Sequence, residues 1–202
     1  MRFLASLLSL GLLALGQTSF GAFSYHVSLT PSSSIVAAGS SVVVQAFITE
    51  SGTAGAGQTS IATNGFTGGN FKVSWDAGGS AVSNVINIAG GTGFFASPTL
   101  VGNEARIQQF GLIPITGSPS VLLGTFTFTA GNSSGTTNIS ALEFNSTPGF
   151  SDLTLANGQI LDGITTYGNA SIIVAVPEPT SMTLLGCVAV GGFAYKRWRR
   201  KK

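Results

Sequence analysis

The sequence predicts an all-β fold, a single two-sheet β-sandwich, and three observations carry that prediction. Apolar residues through the middle of the chain recur with period two, the pattern of strands that bury one face. No stretch of useful length carries the i, i+3, i+4 apolar stripe of an amphipathic helix. The alternating runs are punctuated at short intervals by Gly, Asn, Ser and Pro, the residues of turns.

Taken in order, Tyr25, Val27 and Leu29 alternate with His26 and Ser28, and the strand stops at Thr30-Pro31-Ser32, which turns His26 outward. After Gly39, one face of the next strand holds Val42, Val44, Ala46 and Ile48. The other holds Val43, Gln45, Phe47 and Thr49, as expected of a central strand covered at least partly on both sides. Ser51 to Gly69 is rich in Gly, Ala, Ser and Thr, and predicts a long loop too polar to pack deeply, placed at a rim or as a mobile excursion. Phe71, Val73 and Trp75 then alternate with Lys72, Ser74 and Asp76. A strand with one buried face puts the apolar set inward, so Trp75 is expected in the core and not on a ligand platform. Further strands are predicted at Ala81–Ile88, Ala105–Phe110, Val121–Ala130, Asn138–Asn145 and Ala170–Ala175. In Val121–Ala130, Leu122, Phe126 and Phe128 are expected inside and Thr125, Thr127 and Thr129 outside. Roughly eight or nine short strands result, and turn spacing leaves jelly-roll and immunoglobulin-like connectivity both open.

Two terminal segments flank this domain. Arg2, the apolar run Phe3 to Leu15 and the small residues Ser19 and Gly21 read as a secretory signal peptide over 1–21, cleaved before Ala22. The domain proper is 22–175. At the other end, 176–202 holds Val176-Pro177-Glu178-Pro179, the apolar run 181–195 and a basic block over 196–202. The prolines remove backbone donors and end the domain. The apolar run, at about 1.5 Å per residue, reaches roughly 22 Å against a hydrocarbon core of about 30 Å. Lys196, Arg197, Arg199, Arg200, Lys201 and Lys202 can snorkel to the cytoplasmic interface, where Tyr195 and Trp198 suit the headgroup layer. A weak single-pass transmembrane helix is expected, with its basic tail in the cytoplasm and the middle of the chain exported.

This order of features, Val176 to Pro179, a short apolar span and a terminal basic cluster, resembles the PEP-CTERM sorting signal of Gram-negative bacteria that make exopolysaccharide. The resemblance implies recognition by an exosortase, an integral-membrane cysteine transpeptidase, and cutting near the proline step on the outer side. The anchor would then be transient. Cys187 departs from the usual span composition and is expected to pack as a small hydrophobe.

A second resemblance covers the domain. Gly39 to Val44, Gly68 to Asp76 with one extra residue, and Leu123 to Phe128 are similar in order to strands of cohesin and related carbohydrate-binding β-sandwich domains. It implies a scaffold that binds a dockerin, another partner or a polysaccharide.

Charge and side-chain inventory exclude much else. Within 22–175 the basic residues are Lys72 and Arg106, against Glu50, Asp76, Glu104, Glu143, Asp152 and Asp162, a formal charge of −4. The whole-chain charge of +2 therefore belongs to the tail, and the domain has no basic face for nucleic acid. It has no cysteine, so no disulfide. One histidine, His26, with no Gly-x-Ser-x-Gly elbow, argues against a catalytic triad. One His and no Cys disfavour zinc, and no Asp-x-Asp-x-Asp run marks a calcium loop. Asp152 and Asp162 flank a turn-rich segment where they could share a cation, although solvated loop carboxylates are the commoner reading. A glycosidase pair drawn from Glu104, Glu143, Asp152 and Asp162 is arithmetically open, but nothing local selects a pair. No catalytic residue, cofactor or metal site is assigned. The expectation is a non-enzymatic exported protein, structural or adhesive in an exopolysaccharide layer at the cell surface or in the extracellular matrix. A carbohydrate-binding module is the alternative and an extracellular hydrolase a third reading.

Overall fold

The computed structural model describes residues 23–52, 60–76, 82–145 and 152–176. Residues 1–21, expected as a signal peptide, and Pro177 to Pro179, the apolar run and the basic cluster lie outside them. Among the described residues no helix is long and apolar enough to cross a membrane.

The first strand follows its alternation: in β1 (Ser24–Pro31) Tyr25, Val27 and Leu29 are buried and His26 is exposed. β2 (Ile35–Ala37) is a short continuation. In β3 (Ser41–Ser51) Val42, Val44, Ala46 and Ile48 are buried, while Val43 and Gln45 are exposed. The strand is central in its sheet; its second face is exposed at Val43 and Gln45 and partly covered at Phe47 and Thr49.

Of the region expected to be a surface loop, the described part from Ser60 onward packs inward. Ser60 caps the one-turn helix α1 (Ile61–Asn64) by accepting from Thr63 N–H. The Glu50 carboxylate, at the end of β3, takes the N–H groups of Ile61 (2.6 Å) and Ala62 (3.3 Å). Ile61 and Phe66 enter the core, and β4 (Phe66–Gly69) runs straight on through Asn70 into β5 (Phe71–Trp75). Two large apolar side chains, diluted among Gly, Ser and Thr, suffice to bury the segment.

Next come β6 (Val82–Gly90), β7 (Phe95–Val101), β8 (Glu104–Ile115), β9 (Ser120–Ala130), β10 (Gly135–Glu143) and β11 (Leu153–Leu155). A 3-10 turn at Asp162–Ile164 leads to β12 (Thr165–Tyr167) and β13 (Asn169–Ala175). In β9, Leu123 is buried and Leu122 is not. Ala46 pairs with Gly124 but Phe47 pairs with Leu122, so Leu123 is an extra residue, a β-bulge that reverses the alternation on either side of it. Phe126 and Phe128 face inward as expected.

One sheet has the order β12-β1-β3-β9-β6. The other runs β11-β4-β8-β5-β10-β13-β2, with β7 on the free edge of β8. Their inner faces meet in a single core that includes Val44, Ile48, Phe126 and Phe128 from one side and Phe71, Val73, Ile107, Ile139 and Ile172 from the other. Trp75 packs on it, edge-on to Phe128 with ring centroids 5.4 Å apart. The first and last strands switch sheets together. β1 pairs β12 and β2 pairs β13, both parallel. The second switch is at Gly168, where a Cβ would lie 2.9 Å from His26 Nε2 and 3.2 Å from the Val27 carbonyl oxygen, so a side chain there would make His26 shift.

Candidate functional site

The outer face of the second sheet is built from the side chains that alternation turns away from the core. Cross-strand register places Leu142, Lys72, Arg106 and Thr99 in one row, and Ser140, Ser74, Glu104 and Val101 in the next. Glu104 Oε2 accepts from Arg106 Nη2 at 2.8 Å and Nε at 3.1 Å, and Lys72 Nζ stands 3.9 Å from Oε1. The Arg106 hydrogen bonds hold the Glu104 carboxyl below its usual pKa. Both cations of the domain are thereby turned toward one carboxylate.

Further along the same face, Ser97 pairs with Gln108 and Phe95 with Phe110. The two phenyl rings are near-parallel, 27° apart with centroids at 5.6 Å, and each is more than half exposed (59% and 58%). With Asn70, Ala96 and Gln109 they line an open cleft of about 430 Å³. Its floor is fixed. Asn70 Oδ1 accepts from the Gln109 N–H (2.9 Å), and Asn70 N–H donates to the Asp152 carbonyl (2.8 Å). The buried Gln109 side chain reaches across the sandwich, accepting from Gly91 N–H (3.1 Å) and donating to the Leu123 carbonyl (2.7 Å). Beside the cleft, β8 carries extra residues between Phe110, opposite Gly68, and Ile115, opposite Phe66. That excursion puts Leu112 and Ile113 into solvent.

A second constellation sits where β10 ends and β11 begins. The carboxylate oxygens of Glu143, Asp152 and Asp162 lie within 4.8 Å of one another. Asp152 Oδ2 accepts from Asn145 N–H (2.7 Å), and Asp162 Oδ2 and Oδ1 accept from the N–H groups of Asp152 (3.0 Å) and Leu153 (2.9 Å). Burial, and then the neighbouring carboxylates, push the Glu143 carboxyl up, and burial is the main cause of the rise at Asp152. Burial raises the Tyr167 hydroxyl as well, and its oxygen is buried without a hydrogen-bond partner. Three oxygen ligands are of the type a hard cation takes, but fewer than the six to eight that calcium takes. The hydrogen bonds that are made tie Asn145, Asp152, Leu153 and Asp162 to one another.

The sequence-derived candidates therefore separate. Asp152 and Asp162 do come together, and Glu143 joins them; Glu104 is held elsewhere by Arg106 and Lys72. His26 is exposed, its Nδ1 2.8 Å from Thr166 Oγ1, whose hydroxyl donates to the Tyr25 carbonyl, so it ties β1 to β12. Val176 is partly exposed just past β13. Pro177, Glu178, Pro179, Lys196, Arg197, Arg199, Arg200, Lys201 and Lys202 lie outside the described residues. Sequence reading missed the Phe95–Phe110 cleft. The available signal was Phe94-Phe95: adjacent residues of an extended chain face opposite ways, so one of two consecutive aromatics must leave the core. Phe94 turns in, edge-on to Phe66, and Phe95 turns out.

No family model matches the chain, and no curated protein matches it in sequence. Among solved structures it is similar to a cohesin module from a family 33 glycoside hydrolase of Clostridium perfringens ATCC13124. That match has 12% identity and a TM-score of 0.54, and covers 77% of this chain and 100% of that one. It is also similar to a chain of a type I cohesin–dockerin complex from Clostridium thermocellum ATTC 27405, with 11% identity, a TM-score of 0.50, and 76% and 99% of the two chains covered. At such identity the likeness is one of fold, and the fold of this chain is an all-β, two-sheet, cohesin-like sandwich.

Proposed function

We propose that this is an exported, non-catalytic β-sandwich of the cell envelope or extracellular matrix, a structural or adhesive component of an exopolysaccharide layer. The observation that carries the binding role is the outer face of the second sheet, where an aromatic pair stays in solvent beside a cleft with a rigid floor. Fold likeness to cohesin modules, one of them in complex with a dockerin, supports a binding scaffold over a catalytic one. The clamped carboxylates support the same choice, because their hydrogen bonds go to backbone amides.

Sorting is proposed from the two ends of the sequence. Residues 1–21 act as the signal peptide that exports 22–175. Residues 176–202 act as the PEP-CTERM signal, with 181–195 held transiently in the inner membrane, 196–202 in the cytoplasm, and Val176, Pro177, Glu178 and Pro179 presented to an exosortase. Proline-rich backbone is extended and helix-free, as a transpeptidase requires. Replacing Pro177, Glu178 and Pro179 together by Ala should leave full-length protein in the inner membrane of an exosortase-bearing strain. Normal release, seen by fractionation and mass spectrometry, would show the sorting reading to be wrong.

A further inference from the structure

We infer that the cleft lined in part by Phe95 and Phe110 takes a neutral polysaccharide; this rests on the binding role proposed above and names its ligand class. Four observations converge on that chemistry. Phe95 and Phe110 stack on each other and stay more than half exposed, so together they present aromatic surface of negative potential, which suits the polarised C–H groups on the face of a pyranose. Apart from Ala96, the rest of the lining is neutral and polar, the amides of Asn70, Gln108 and Gln109 and the hydroxyl of Ser97, matched to sugar hydroxyls that both donate and accept. Its volume, about 430 Å³, falls in the range of small-ligand sites, about 300–1,000 Å³. The floor is braced through Asn70 and Gln109, so the backbone beneath the rings is held in place.

The neighbouring features argue against the competing ligands. An anionic glycan or acidic peptide would be drawn by free cations, but the lining contains none, and the nearby Arg106 and Lys72 both face Glu104. An extended peptide adding a strand at the edge would meet Pro98 midway along β7, which cannot donate a backbone hydrogen bond.

The test uses the full chain in mild detergent with three soluble probes: cellohexaose, laminarihexaose and, as the acidic comparison, hexagalacturonate. Saturation-transfer NMR and calorimetry should detect at least one neutral hexaose and prefer it to hexagalacturonate. Phe95→Ala and Phe110→Ala should each weaken binding by about tenfold. Phe110→Tyr should retain it, and Leu112→Ala, on the adjacent excursion but outside the lining, should not change it. Both phenylalanines are already mostly in water, so unchanged thermal midpoints will separate lost binding from lost fold. Silence from both neutral sugars, as a protein-docking surface predicts, overturns the inference; so does preference for hexagalacturonate, or binding indifferent to Phe95 and Phe110. If the alanine variants still co-fractionate with the producing strain's matrix as the parent does, the cleft assignment falls and the matrix role stands. If the parent itself does not co-fractionate, the functional reading falls.

Discussion

Glu143 ionises at an energetic disadvantage, partly withdrawn from water and facing Asp152 and Asp162. Its folded-state pKa lies above the unfolded value, as does that of Asp152, so the folded chain holds these protons more tightly. Their combined contribution therefore falls as pH rises through the carboxylate range and is most unfavourable at neutral pH. Glu104 runs the other way: its lowered pKa gives stability at neutral pH that is lost as pH falls through its folded value. Glu143→Gln should thus raise the thermal midpoint at pH 7 and lose that advantage near pH 4, and equal shifts at both would disprove the charge argument. Trp75 was legible from alternation alone. It is half-buried against Phe128, and Trp75→Ala should cost about 3 kcal/mol, read as a lower urea midpoint at unchanged slope. The exposed position of His26 was equally legible. Leu122 was not, because a single bulged residue, Leu123, moves the inward phase by one and leaves no mark in composition.

Elements were legible in proportion to their length and to the contrast between their faces. The runs that became β1, β3, β5 and β9 alternate over enough residues to declare themselves. β2, β11 and β12 are three residues each, shorter than a period-two signal needs. β7 is exposed along its whole length, so it has no hydrophobic face to detect. It is also an edge, where unpaired backbone groups invite a second chain, and Pro98 interrupts them. Pro98→Val should restore a continuous donor row and increase self-association. Sedimentation at rising concentration would reveal it, and unchanged sedimentation would show that the edge is protected without the proline.

For the whole molecule, the two-sheet sandwich followed from patterning, but its connectivity did not. The pairing of Tyr25 with Thr165 joins residues at opposite ends of the domain, and no local signal encodes it. The aromatic cleft escaped for a similar reason, since Asn70, Phe95 and Phe110 converge only through the register of β7, β8 and the continuous β4–β5 run. That same long-range pairing has a mechanical meaning. β1 and β2 run beside β12 and β13 in the same direction, so the backbone near Phe23 and that near Val176 emerge at opposite ends of the parallel pairs. Tension applied between those two points shears the pairs along their length, and their hydrogen bonds share the load and must rupture together. Tension applied between Phe95 and Phe110, which face each other across an antiparallel hairpin, opens bonds one after another. Single-molecule pulling should therefore find the higher rupture force between positions 23 and 176. A domain loaded by a matrix on one side and by a tether after Val176 on the other would be pulled along its strong axis.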